Sequence, residues 1–170
     1  MTVLDVIRKR YSCRDYEDKP IEQEKLDTIL EAARQAPSAK NLQDWRFVVV
    51  RDKEKRSRVA ATTNRPQVFG KAGVMIVACS NSDYVMTCGQ AVGPIDVAIA
   101  LEHISLAATE LGLATCWIGS FQTPKVREIL NIPEDVAIIE VMALGYPAGG
   151  GRQSGREPIE NIVCYDQWRF

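Results

Sequence analysis

Apolar residues recur along this chain with two different periods, and the change of period divides it into elements. Val3, Leu4, Val6 and Ile7 form a helical stripe behind Thr2, a good N-cap, and the stripe runs into the basic stretch Arg8-Lys9-Arg10. Leu26, Ile29, Leu30 and Ala33 repeat at helical spacing and predict a second helix, which Pro37 stops. After a polar, turn-like stretch, the run from Arg46 through Phe47-Val48-Val49-Val50 reads as a strand. Val74-Met75-Ile76-Val77-Ala78 reads as another, and both runs are continuous enough to be buried on two faces. A charged helix from Lys53 to Ala61 lies between them. The stretch from Ile95 to Leu111 is apolar around nearly its whole circumference, broken only by Asp96, Glu102, His103, Ser105, Thr109 and Glu110. It predicts a central buried helix with Gly112 as C-cap.

The chain leaves that helix along a strand that meets Gly119. Thr123-Pro124 then opens a short helix, with Thr123 as cap and Pro124 at the first helical position, and Ala137 to Leu144 supplies a further strand. The tail from Ile159 to Phe170 ends in Trp168 and Phe170, apolar mass that a terminal strand would bury on a neighbouring chain.

Length and charge narrow the classes. A chain of 170 residues suits one domain over 1–170, with no repeat and no interdomain linker. Its 21 basic and 22 acidic residues give a net charge of −1, which supplies no field for nucleic acid or an anionic membrane, so any anion must be held by a local cluster. The five cysteines are odd in number and lack CxxC spacing, which argues against a disulfide framework or a zinc site and for a reducing cytoplasm. MTVLDVIRKRY holds no apolar stretch ahead of a cleavage site, and no uncharged apolar run approaches the roughly 18 residues of a membrane span. The expectation is a soluble, unprocessed protein.

Four segments carry candidate chemistry. Arg10-Tyr11-Ser12-Cys13-Arg14 runs from a helix end into an extended segment, and alternation puts Arg10, Ser12 and Arg14 on one side, where two guanidinium forks and a hydroxyl converge on one phosphate; a solvated basic surface explains the same residues. Pro37-Ser38-Ala39-Lys40-Asn41-Leu42-Gln43-Asp44-Trp45 is a tight loop. Its small residues admit a planar ligand to the backbone and Ser38 and Asn41 reach the ligand's edge, unless it is simply a helix-terminating turn with Asn as cap. In Leu111 to Phe121, Gly119 lets the backbone press against an aromatic ring and offer it a free N–H, or marks an ordinary turn. Arg152 and Arg156 follow Gly145-Tyr146-Pro147 in a glycine-rich loop.

In this combination and order the segments resemble the nitroreductase family of FMN-dependent oxidoreductases. Arg10-Tyr11-Ser12-Cys13-Arg14 is similar to the family's R-x-S-x-R/K start, and Pro37 through Trp45 to its P-S-x-x-N-x-Q-P-W segment. Gly112 through Cys116-Trp117-Ile118-Gly119 is similar to its GLG-x-x-W-I-G stretch, and Gly145-Tyr146-Pro147 with Arg156-Glu157-Pro158 to its G-Y-P and late R-x-P. The resemblance implies an α+β fold, a mostly antiparallel sheet flanked by helices, in an intertwined homodimer with FMN at the interface. It implies that Arg10, Tyr11, Ser12, Arg14 and Arg156 hold the phosphate and ribityl chain, that Pro37, Ser38, Ala39 and Asn41 lie along the flavin from the partner subunit, and that Asn64 and Gln67 meet the pyrimidine edge. Ile118 and Gly119 flank the flavin N5, where a backbone N–H tunes the reactive atom.

The activity so implied passes electrons from NAD(P)H to a small nitroaromatic, quinone or similar electron-poor acceptor by a ping-pong mechanism, with chemistry at the flavin and no catalytic side chain. His103 and Cys116 accordingly read as packing or interface residues. The alternative is a flavin-binding sensor or flavin-processing protein on the same cradle. Asp44 stands where the family carries proline, Ser154 where many members carry lysine, and only Asn81 to Pro94 is available where larger members insert a roof over the pocket.

Overall fold

In β2 (Val74–Ser80) every residue is buried, and successive side chains point to opposite faces. Met75, Val77 and Cys79 join one apolar cluster, while Val74, Ile76 and Ala78 join another. The computed structural model, which describes residues 1–151 and 154–170, thus has a sheet with a core on each side. The other strands are β1 (Trp45–Val50), β3 (Ala114–Ile118) and β4 (Ala137–Gly145); the order is β1-β2-β4-β3, and every neighbouring pair is antiparallel. A register shift between Ala78 and Cys79 leaves Ile139 as the extra residue of a bulge in β4.

Six helices cover the two faces among the described residues: α1 (Val3–Lys9), α2 (Gln23–Arg34), α3 (Lys53–Ala61), α4 (Pro66–Phe69), α5 (Val92–Glu110) and α6 (Thr123–Leu130). Val59 of α3, Phe69 of α4 and Val126 of α6 pack on one side of the sheet. Leu26 and Ile29 of α2 pack with Val97, Ala100, Leu101 and Ile104 of α5 on the other. By length and composition α5 passes for a membrane span, but here it is the core helix of that second layer. A methyl at Gly93 would lie 2.7 Å from Ser80 Oγ, so glycine there lets the start of α5 close onto the end of β2.

Four expectations are corrected. β1 is an edge strand, so Phe47, Val48 and Val49 are only half-buried: each face packs on a core cluster, but the outer edge has no strand beside it among the described residues. Helix α5 starts at Val92, three residues before Ile95. Thr123 is the first residue of α6, Gln122 is its N-cap without a side-chain bond, and Asn131 closes the helix in the left-handed conformation. The tail forms no strand among the described residues but a 3-10 turn (Ile159–Asn161), and it pairs with neither edge of the sheet. Trp168 and Phe170 meet edge to face, 79% and 55% exposed. Of the α1 stripe only Val6 is buried, leaving Val3, Leu4 and Ile7 facing solvent. The capping box of Thr2 with Asp5 and the positive φ of Gly112 agree with the sequence.

Candidate flavin site

The segment after α1 is fixed by main-chain bonds to the sheet. Cys13 N–H donates to Thr115 O at 2.8 Å, Glu17 N–H to Tyr146 O at 2.9 Å, and Ala148 N–H to Asp15 O at 3.0 Å. Below this run the Tyr16 hydroxyl lies 3.2 Å from Cys13 O and 3.4 Å from Ala143 O, and burial pushes its phenol far above the ordinary value. Ser12 and Arg14 therefore stand on a backbone that core packing cannot release without loss of the fold. They line a cavity of about 260 Å³ with Tyr11 and Gly149 to Gly151. A Cβ at 151 would fall 2.0 Å from the Tyr11 ring, so any other residue there would displace that ring.

Arg14 also lines a second cavity of about 200 Å³ with Asn64, Arg65, Trp117, Ile118 and Gly119. Neither Arg14 nor Arg65 forms an ion pair among the described residues, so two guanidinium groups face this space with donors to spare. Trp117 is held against the wall by its indole N–H on Ser105 Oγ at 3.3 Å. Gly119 follows β3, and the nearest atom to a Cβ built there is Glu140 Oε2 at 4.0 Å. Nothing in the chain itself excludes a side chain at 119. Cys116 lies in the same wall, but burial raises its thiol despite Arg14 and Arg65, so it is no ready thiolate.

The structure thus brings Tyr11, Ser12, Arg14, Asn64, Ile118 and Gly119 together and leaves the remaining candidates elsewhere. Arg10 caps α1, and its guanidinium lies 3.7 Å from Glu102 on α5, so side-chain reach overrides the expected alternation. Gln67 sits exposed on α4 outside the cavity lining. Arg156 donates to the carbonyls of Ser154 and Gly155 at 3.0 and 3.1 Å, and Arg152 lies outside the described residues. Arg65 was missed; its signal was the position just before Pro66, where an N-cap residue is aimed by the helix start.

Pro37, Ser38, Ala39 and Asn41 line neither cavity. Ala39 to Asn41 form a 3-10 turn in which Lys40 and Asn41 have φ of 51° and 56°, followed by Gln43 at 52°. Such left-handed residues are disfavoured by about 1–2 kcal/mol each. Ser38 Oγ accepts the Gln43 N–H at 3.0 Å, the Lys40 ammonium sits 4.3 Å over the Tyr84 ring, and both oxygens of Asp96 accept the Ala39 N–H. His103, on α5, bonds Ala32 O of α2 through Nδ1 at 3.0 Å.

A four-stranded antiparallel sheet with helices on both faces thus carries two adjoining cavities that share Arg14, one lined also by Asp15 and three glycines, the other ending at an unobstructed Gly119. The chain belongs to the nitroreductase family, whose model, described as Nitroreductase family, matches residues 7–65 and 58–146. It is 29% identical to an FMN reductase [NAD(P)H] of Bacillus subtilis over 178 residues, 94% of this chain and 72% of that protein. A crystal structure of a nitroreductase family protein from Clostridium difficile superposes with a TM-score of 0.89 at 31% identity, covering 99% of this chain and all of that one. The NADPH:FMN oxidoreductase of Vibrio harveyi complexed with NAD+ gives 0.89 at 27% identity, over 99% and 78%. The chain is an NAD(P)H-dependent oxidoreductase that uses a flavin.

Proposed function

We propose that this protein is a cytoplasmic, homodimeric FMN enzyme that passes electrons from NAD(P)H to nitroaromatic, quinone or similar electron-poor acceptors, one substrate leaving before the next arrives. The observation that carries this reading is Arg14 at the junction of the two cavities, with Ser12 on one side and Asn64, Arg65 and Gly119 on the other. The donor set fits FMN: Ser12 and Arg14 would hold the phosphate by charge-assisted bonds, and Asn64 would face the ring's polar edge. Space beside Gly119, which the protein's own packing does not require, suits a planar ring. When bound, FMN supplies hydride acceptance and electron delivery. The protein's part is to orient the ring, supply positive charge through Arg14 and Arg65, and exclude water with Trp117 and Phe69.

Dimerisation is supported by exposed apolar residues on α1 and in the tail, and by a groove between α1, α2 and α5 lined by Val3, Val6, Leu106 and His103. Five unpaired cysteines suit a reducing compartment. Anaerobic addition of NADH or NADPH to the FMN-loaded protein should bleach the flavin band, and a nitroaromatic or quinone should restore it. Parallel double-reciprocal lines are expected for alternating substrates. FMN uptake without nicotinamide oxidation would replace the enzyme by a flavin sensor, and no uptake at all would defeat both readings.

A further inference from the structure

The loop after α2 is the part of the site that core packing holds least. Pro37, Lys40, Asn41, Leu42 and Gln43 are exposed, and three of these take left-handed backbone. Besides the turn's own bonds, Asn41 N–H to Ser38 O, Leu42 N–H to Ala39 O and the Gln43 amide to Asn41 O, the contacts that oppose its relaxation are the Arg46 guanidinium on Gln43 O, the Ser38 Oγ bond to Gln43 N–H, the Lys40 ammonium over Tyr84, and the Ala39 N–H on Asp96. Only the last engages a fully buried charge. Asp96 is 2% exposed, in the second turn of α5, between Gly93, which seats the helix on β2, and Val97, which is in the core. Its two oxygens lie 3.2 and 3.1 Å from the Ala39 nitrogen. A carboxylate in that position has lost its water, so its remaining donor is worth more to it than the same bond at the surface.

We propose that Asp96 is the positioning residue of the flavin loop: its carboxylate ties the Ala39 N–H to the rigid start of α5 and so holds Pro37 to Asn41 in the strained turn they present to FMN. This rests on the functional reading above. Asp44, where the family pattern has proline, sharpens the case. Its Oδ1 is buried without a partner, and its charge adds to burial in raising the Asp96 pKa, with the Ala39 N–H opposing both. The Ala39 N–H is therefore the contact that favours a carboxylate at 96 against burial and the Asp44 charge.

The test compares wild type with Asp96→Ala and Asp96→Asn. It reads amide hydrogen exchange in flavin-free protein, FMN affinity by flavin fluorescence, and the unfolding temperature. Asp96→Ala should speed exchange over residues 39–43 and weaken FMN binding by about tenfold to a hundredfold, the range for a lost hydrogen bond to a charged group. Asp96→Asn, which keeps an acceptor oxygen and the side-chain volume, should fall between it and wild type, and it carries the test if the alanine variant does not fold. Wild-type FMN affinity and exchange in both Asp96 variants would overturn the proposal, as would an affinity loss that follows the unfolding temperature while loop exchange stays unchanged. A wild-type protein that takes up no FMN defeats the functional reading instead, and faster loop exchange in Asp96→Ala would still establish the tie.

Discussion

The two halves of the candidate flavin site are built by different means. Ser12 to Arg14 and Trp117 to Gly119 lie on or beside β3, backed by main-chain bonds and by a core in which Ala114, Cys116, Val141 and Ala143 are almost wholly buried. The loop from Pro37 to Asp44 has little such backing; side-chain bonds hold a backbone that is locally unfavourable. The tail is an extreme of the second kind, with Tyr165, Trp168 and Phe170 exposed and no strand formed among the described residues. A half-site fixed by the sheet tolerates surface substitution and loses function only when its ligand-facing groups change. A half-site fixed by single contacts, or by a second subunit, loses geometry first.

The largest expected effect therefore belongs to the tail. Removing Asp166 onward takes away Trp168 and Phe170, whose burial on a partner would contribute roughly 3–6 kcal/mol by apolar-area arithmetic, a large share of a marginal stability. Sedimentation and the absorption spectrum of the shortened protein should show dissociation together with loss of FMN, because association and cofactor binding are then linked. A shortened protein that remains dimeric and yellow would place the interface on the helices alone.

Next in size is Arg14→Ala in the sheet-backed half. Loss of a charge-assisted bond to phosphate is worth roughly 1.5–3 kcal/mol, so FMN affinity should fall by about one to two powers of ten while the unfolding temperature of the flavin-free protein barely moves. Arg156→Ala should also weaken FMN binding, but less, because its guanidinium is already satisfied by the Ser154 and Gly155 carbonyls. Titration of both apo-proteins with FMN orders them; equal losses would move Arg156 into the pocket, and no loss for Arg14 would remove it from the phosphate.

What could be read from the sequence follows the same division. The buried runs at Val74 to Ala78 and Ile95 to Leu111 announced β2 and α5, because continuous apolar residues have few other places to go. Ser12, Arg14 and Gly119 could be singled out in the sequence, and the fold brings them to adjoining cavities because the backbone that carries them is tied to β3. Arg10 reaches Glu102 and not the cavity in this structure, since alternation describes the backbone and cannot foresee where a long side chain goes. Asp96 looked like one polar interruption among several in an apolar helix; its meaning lies in Ala39, 57 residues away in the chain. Arg65 was missed because its one signal, the place just before Pro66, marks a helix start and does not tell that the side chain lines the cavity beside Gly119.

His103→Ala tests whether the α2–α5 layer does chemistry or only packs. The lost bond to Ala32 O is worth about 0.5–1.5 kcal/mol, so the unfolding temperature should fall by a few degrees. Turnover per bound flavin should be unchanged. A large loss of turnover in a fully loaded variant would make the histidine a participant.

The smallest effect, and the one confined to the sheet-backed half, concerns Glu140 behind Gly119. It is half-buried at the β4 bulge, with Oε1 accepting the Val141 N–H at 3.0 Å. Burial raises its pKa above the ordinary 4.5, opposed less strongly by the Val141 and Ile118 backbone. Below 4.5 the folded and unfolded chains both hold the proton and the residue has no pH-dependent effect. As pH rises through the folded value, the folded chain must give up a proton that the unfolded chain has already lost, and stability declines. Glu140→Gln keeps the acceptor for Val141 and carries no charge at any pH. It should therefore unfold at a higher temperature than wild type near neutrality, with the difference closing as pH falls below 4.5. Thermal scans of the flavin-free proteins across that range measure it. A difference that is constant with pH would trace to packing at the bulge, and a variant less stable than wild type near neutrality would mean that the carboxylate is stabilised where it stands, as a partner charge from a second subunit would do.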